Sequence, residues 1–221
     1  VAGLLAGYLV YGVVARLAGG SLASGLKRPR RPLLMKHLTY GGVSAGASVA
    51  GILAPLGLKA LLTAVVGAQG AAGALLALDL LQRPFVMVVS ALQAIRYPDI
   101  VAAYDREPGS PAFRARLGVY YGQLASCSLA TAAVILCLLA PAAFWLVKAD
   151  LRDSFLLAAP AVTILALLRA WVQTLLPTPA HLMQRLGPII GLAIADAALL
   201  NLGSLAGWNL SGGSLTGLLY G

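Results

Sequence analysis

From Leu117 to Val147 the chain carries no charged residue. That run alone exceeds the ~20 apolar residues that take an α-helix across the hydrocarbon layer of a bilayer. Comparable runs, broken by Gly, Pro or clustered charge, cover Val1 to Ala18, Tyr40 to Val66, Ala74 to Tyr97, Phe155 to Leu176 and Leu186 to Trp208, and another opens near Leu215. The repetition predicts an all-α, polytopic transmembrane helix bundle of about six full spans plus the start of a seventh.

Composition closes the alternatives. Of the 221 residues, 60% are hydrophobic and 10% are charged, whereas a soluble domain covers its surface with about 25% charged residues. The mean hydropathy is +0.87. Large extramembrane domains are therefore not expected. The chain opens at Val1 inside an apolar run, with no basic leader of a signal peptide, and stops soon after another run begins, so it is expected to be part of a larger transporter.

A formal charge of +9 would suggest nucleic acid in a soluble protein, but here the basic residues fall mostly between apolar runs and their natural reading is topological. No nucleic acid partner is expected. Basic residues stay on the cytoplasmic side during insertion. The first loop holds Lys27, Arg28, Arg30, Arg31 and Lys36, the third Arg106, Arg114 and Arg116, and the fifth Arg185; the intervening loops hold none, or only Lys148 and Arg152. The odd-numbered loops are thus expected to face the cytoplasm. Trp145 and Trp208 then fall near outer span ends and Tyr40, Tyr97 and Tyr120 near inner ones, as interfacial aromatics do. The basic first loop suits anionic membrane lipids, or serves only as an anchor of orientation.

An ionisable side chain deep in a span is costly, and it usually faces a bundle interior or a wet cavity. Arg83 lies near mid-membrane, with Asp79 one turn earlier and Pro84 directly after it; Asp79 and Arg83 are spaced i,i+4 and are expected to pair. Asp196 is also near mid-span, with Asn201 beyond it. Arg169 and Gln173 form a second i,i+4 pair in the inner half of the fifth span. Lys59 and Arg16 lie nearer span ends and either line a cavity or snorkel to the surface. The excess of embedded cations favours an anionic ligand, since guanidinium offers a planar fork to phosphate or carboxylate. Alternatively, Asp79 and Asp196 are structural partners that neutralise the arginines.

Small residues recur at packing distance in Gly42 and Gly46, Gly187 and Gly191, and Gly203 and Gly207, which predicts close helix approach. Cys127 and Cys137, ten residues apart and about 15 Å along one helix, cannot pair with each other. Leu210 to Ser214 spells the letters of an ABC ATPase signature, yet no Walker loop accompanies it. His37 and His181 lack neighbours suited to a metal. No enzymatic machinery and no cofactor are expected.

The run MKHLTYGG, the small-residue span after it, and VVGAQGAAGALLALDLLQRPFVMVVSALQAIRYPDIVAAYDRE together resemble the second half of oligosaccharide and polysaccharide (O-antigen type) flippases of the multidrug/oligosaccharidyl-lipid/polysaccharide exporter superfamily. The resemblance implies that residues 1–18 are the last helix of an amino-terminal bundle, 19–39 a basic cytoplasmic linker, and 40–221 a second transmembrane bundle. It further implies alternating access in a bacterial inner membrane, with a polyprenyl-pyrophosphate-linked anionic glycan as the partner. Arg83, Arg169 and Lys59, with Gln173, would line the substrate path, and Asp79 or Asp196 would couple transport to protons or sodium. The alternatives are a drug or small-metabolite exporter of the same superfamily, or a non-transporting scaffold of a polysaccharide assembly complex.

Overall fold

The computed structural model describes residues 31–175, 177–183 and 186–220. The chain divides into two units, Val1–Gly41 and Gly42–Gly221. The described elements are α1 (Arg31–Val66), α2 (Ala68–Arg106), α3 (Pro111–Leu146), α4 (Ala149–Leu175), the short α5 (Pro177–Leu182), α6 (Leu186–Leu210) and the short α7 (Leu215–Tyr220). Among the described residues there is no strand. The expected helix Val1 to Ala18, with Arg16, and most of the expected linker lie outside the described residues; Arg31 to Thr39 are already helical.

Five helices are long and apolar enough to cross a membrane: Leu38–Val66, Ala68–Arg106, Pro111–Leu146, Ala149–Leu182 and Gly187–Leu210. This is the architecture of a multi-pass membrane protein. Among the described residues the count is therefore five; the first of the six expected spans lies outside them, and the run near Leu215 forms a single short helix. Several helices also run past their expected ends. α2 continues through Gly70, Gly73 and Pro98, because Gly and Pro weaken a helix only by amounts that tertiary packing overrides.

Turns are short and specific. Gly67 alone joins α1 to α2 at φ 83 and ψ 154, a conformation that essentially only Gly adopts. Ser110 caps α3, its hydroxyl accepting from the Phe113 N–H at 3.2 Å, with Pro111 at the first helical position where no donor is needed. At the far end of α3, Arg152 donates to the Phe144 carbonyl at 3.1 Å and stacks 4.7 Å from the centre of the Phe144 ring. A cation there meets the negative end of the helix dipole.

The core of the second unit lies where α2 crosses the start of α4. Ala71, Ala74 and Ala77 pack against Phe155, Ala158, Ala159 and Val162. Gly73 sets the approach: a Cβ there would stand 2.0 Å from Ser154 Oγ and 2.6 Å from the Phe155 nitrogen. Two of the Gly pairs singled out in the sequence do not serve this purpose, since a Cβ at Gly42, Gly46, Gly187 or Gly191 meets nothing within 4 Å among the described residues. Spacing identifies a smooth helix face, but not whether another helix lies on it.

Many polar groups within the spans are satisfied locally or across helices, as a medium without water demands. Ser48, Thr63, Ser126, Thr131, Thr163 and Ser204 each donate to the carbonyl four residues back. Trp171 Nε1 donates to Ser128 Oγ at 2.7 Å, tying α4 to α3. Asn201 on α6 donates to the Ala54 carbonyl of α1 at 3.2 Å. Outward, Met87, Trp145, Leu199 and Leu210 are exposed, which is the surface a lipid-facing helix requires; Cys127 and Cys137 are also exposed and unbridged.

Candidate functional site

Asp196 stands ten residues into α6, counting from Leu186, or about 15 Å along the helix axis. Across from it, Arg169 and Gln173 occupy successive turns of α4 and converge on that one carboxylate. Arg169 donates from Nη2 to Asp196 Oδ2 at 2.9 Å and from Nε to Oδ1 at 3.3 Å, a fork-on-carboxylate geometry. Gln173 Nε2 adds a third bond to Oδ2 at 3.0 Å. The two charged side chains are only 11% and 10% exposed. Removing either partner from so dry a pair strands the other charge, at a cost of about 3–5 kcal/mol.

The other embedded charges are arranged differently from the expectation. Asp79 does not pair with Arg83 one turn along α2; its carboxylate is held by the Lys59 ammonium of α1. The tight Gly67 turn folds α1 back beside α2, so a facing helix supplies the cation. An i,i+4 pair on one helix contributes only about 0.2–0.5 kcal/mol and does not compete. Lys59 therefore makes an ion pair instead of simply snorkelling. This pair is far wetter than the first, at 31% and 56% side-chain exposure. Arg83 is exposed and makes no hydrogen bond or ion pair among the described residues. Arg169 and Lys59 are thus each neutralised by a carboxylate, and Arg83 is the described candidate left without a countercharge.

The Arg169, Gln173 and Asp196 cluster borders several cavities. One is a groove of about 310 Å³ with Ser44, Ser48, Gln173, His181 and Asp196 among its walls. Another is a groove of about 500 Å³ that is apolar apart from Arg169, Asp196 and Ser204, with Leu165, Leu168, Val172, Leu192, Leu199 and Leu200 in its walls. A third, of about 210 Å³, is bounded by α2 and α4 and includes Gln82, Ser90, Gln93, Arg169 and Gln173. A fourth, of about 240 Å³, is lined by Gln93, Tyr97, Gln173, Pro177, Thr178 and His181.

Attention to charge alone missed the uncharged members of this lining. Gln82, Ser90, Gln93 and Tyr97 fall at offsets of 8, 11 and 15 residues along α2, within about 100° of one another at 3.6 residues per turn. A stripe of polar side chains on an otherwise apolar span was the available signal. Comparisons with protein-family models, with curated proteins and with solved structures find no match for this chain.

Proposed function

We propose that this chain is the carboxy-terminal half of a transporter that flips a polyprenyl-pyrophosphate-linked oligosaccharide across the bacterial inner membrane. One observation carries the reading: a largely buried ion pair at mid-span borders both a groove with several polar side chains and a larger, mostly apolar one. A lipid-linked glycan needs both at once. Its sugars are too polar for lipid, its tail is too apolar for water, and its pyrophosphate lies at the junction.

In this reading Arg169 takes the pyrophosphate in exchange for Asp196. The guanidinium passes from one anion to another and is never left alone in low dielectric, which keeps the exchange shallow. A proton or sodium ion taken up by Asp196 would release Arg169, and Gln173 would hold the carboxyl group meanwhile. Arg83, without a counter-ion among the described residues, adds an attractive cation on α2. The open polar cavities beside the pair favour transport over a scaffold, whose charges would be paired in a closed core.

The test uses the purified intact transporter, with this chain as its carboxy-terminal half, in liposomes carrying a polyprenyl-pyrophosphate oligosaccharide, with an impermeant sugar-oxidising reagent outside. The protein should bring inner-leaflet glycan to the reagent, and Arg169→Gln should slow this at least tenfold with insertion intact. No flipping by the unaltered protein, or undiminished flipping by Arg169→Gln together with Arg83→Gln, would reject the reading.

A further inference from the structure

The cavity of about 240 Å³ where α2 meets the junction of α4 and α5 is lined by two amides, a hydroxyl, a phenol and an imidazole, from Gln93, Gln173, Thr178, Tyr97 and His181. Among the described residues its wall has no carboxylate and no ammonium or guanidinium. Behind that wall lies an unresolved polar group. The Tyr120 side chain is fully buried, and its hydroxyl lies against Gln93 and Thr178 without completing a hydrogen bond to either. Buried hydroxyls without partners are rare and costly, and in native proteins they call for a specific explanation.

We infer that this cavity is a binding site for a neutral sugar ring, with Gln93 and Gln173 as the hydrogen-bonding residues and Tyr120 as a positioning residue behind Gln93. The chemistry selects the ligand. An amide presents two N–H donors beside a carbonyl acceptor, and a sugar hydroxyl is itself both donor and acceptor, so adjacent hydroxyls match an amide edge. A phosphate or carboxylate would find no cation among the described residues of this wall. A cationic amine would find no anion. When Gln93 turns its carbonyl toward a sugar hydroxyl, its N–H group can reach the Tyr120 oxygen and satisfy it.

Size and continuity agree. The cavity shares Gln173 with both the 310 Å³ groove and the 210 Å³ cavity, and together they enter the range of about 300–1,000 Å³ typical of small-molecule sites. Gln173 belongs to both regions: its Nε2 contacts Asp196, while its side chain borders the neutral cavity. The inference rests on the transport reading for the position of the sugar next to a pyrophosphate.

Two probes separate this inference from that reading: polyprenyl pyrophosphate, and the same lipid bearing an uncharged disaccharide, each titrated into the full chain in nanodiscs and followed by tryptophan fluorescence. The glycosylated lipid should bind at least tenfold more tightly, and Gln93→Leu should bring the two affinities together without weakening the bare lipid. Tyr120→Phe should leave the melting temperature of the unliganded protein unchanged or higher, while reducing the preference for the sugar. Equal affinity of the two probes for the unaltered protein overturns the sugar site, and if both bind, the transport reading survives it. A preference that persists in Gln93→Leu, or a lower melting temperature in unliganded Tyr120→Phe, also overturns it. If neither probe binds, both readings fail together.

Discussion

Replacing Arg169 by Met should cost the protein far more than replacing Arg169 and Asp196 together. The side chains are 11% and 10% exposed and joined by bonds of 2.9 and 3.3 Å, so solvent does little to shield a survivor. Arg169→Met leaves a carboxylate with only the Gln173 amide, and Asp196→Leu leaves a guanidinium with none of its countercharge. Each single change should lower stability by about 3–5 kcal/mol, the penalty for breaking a buried pair, whereas Arg169→Met with Asp196→Leu should lie within about 1 kcal/mol of the starting protein. The cycle then gives a coupling of at least about 5 kcal/mol, more than a thousandfold in the folding equilibrium. Unfolding by SDS in mixed micelles, followed by near-ultraviolet circular dichroism, measures all four proteins. Additive losses would refute the dry pair. If the double variant is stable but does not flip glycan, its role in transport is separated from its role in the fold.

The Lys59 and Asp79 pair is half-exposed, so Lys59→Met should lower stability by no more than about 1 kcal/mol in the same assay, and a loss as large as that of Arg169→Met would show the pair to be drier than its geometry. Gly73→Ala should reduce folded yield sharply, because its Cβ would meet the backbone of α4 at 2.6 Å and overpacking typically costs about 1–3 kcal/mol. Gly42→Ala should be neutral by size-exclusion chromatography. With Cys127 and Cys137 replaced by Ala, Asn209→Cys should react with an impermeant thiol reagent from outside intact cells, and Glu107→Cys only after permeabilisation. The reverse order would invert the orientation inferred from the basic loops.

What the sequence decided by itself is the set of spans. The length of an apolar run is a local property, and five expected runs lie within helices long enough to cross a membrane. The depth of Arg169 and Asp196, and the shared face of Arg169 and Gln173, follow from the same local geometry. What only the tertiary structure decided is who meets whom. Asp79 had an available partner four residues along its own helix, yet the hairpin at Gly67 placed Lys59 opposite it. Gly42 and Gly46 had the spacing for close packing, but Gly73 makes the close approach to α4. Gln82, Ser90 and Gln93 were unremarkable letters until α4 and α5 enclosed space in front of them. A helix fixes which residues share a face, whereas a buried charge takes its partner, and a polar stripe gains its cavity, only from the helices that pack against that face.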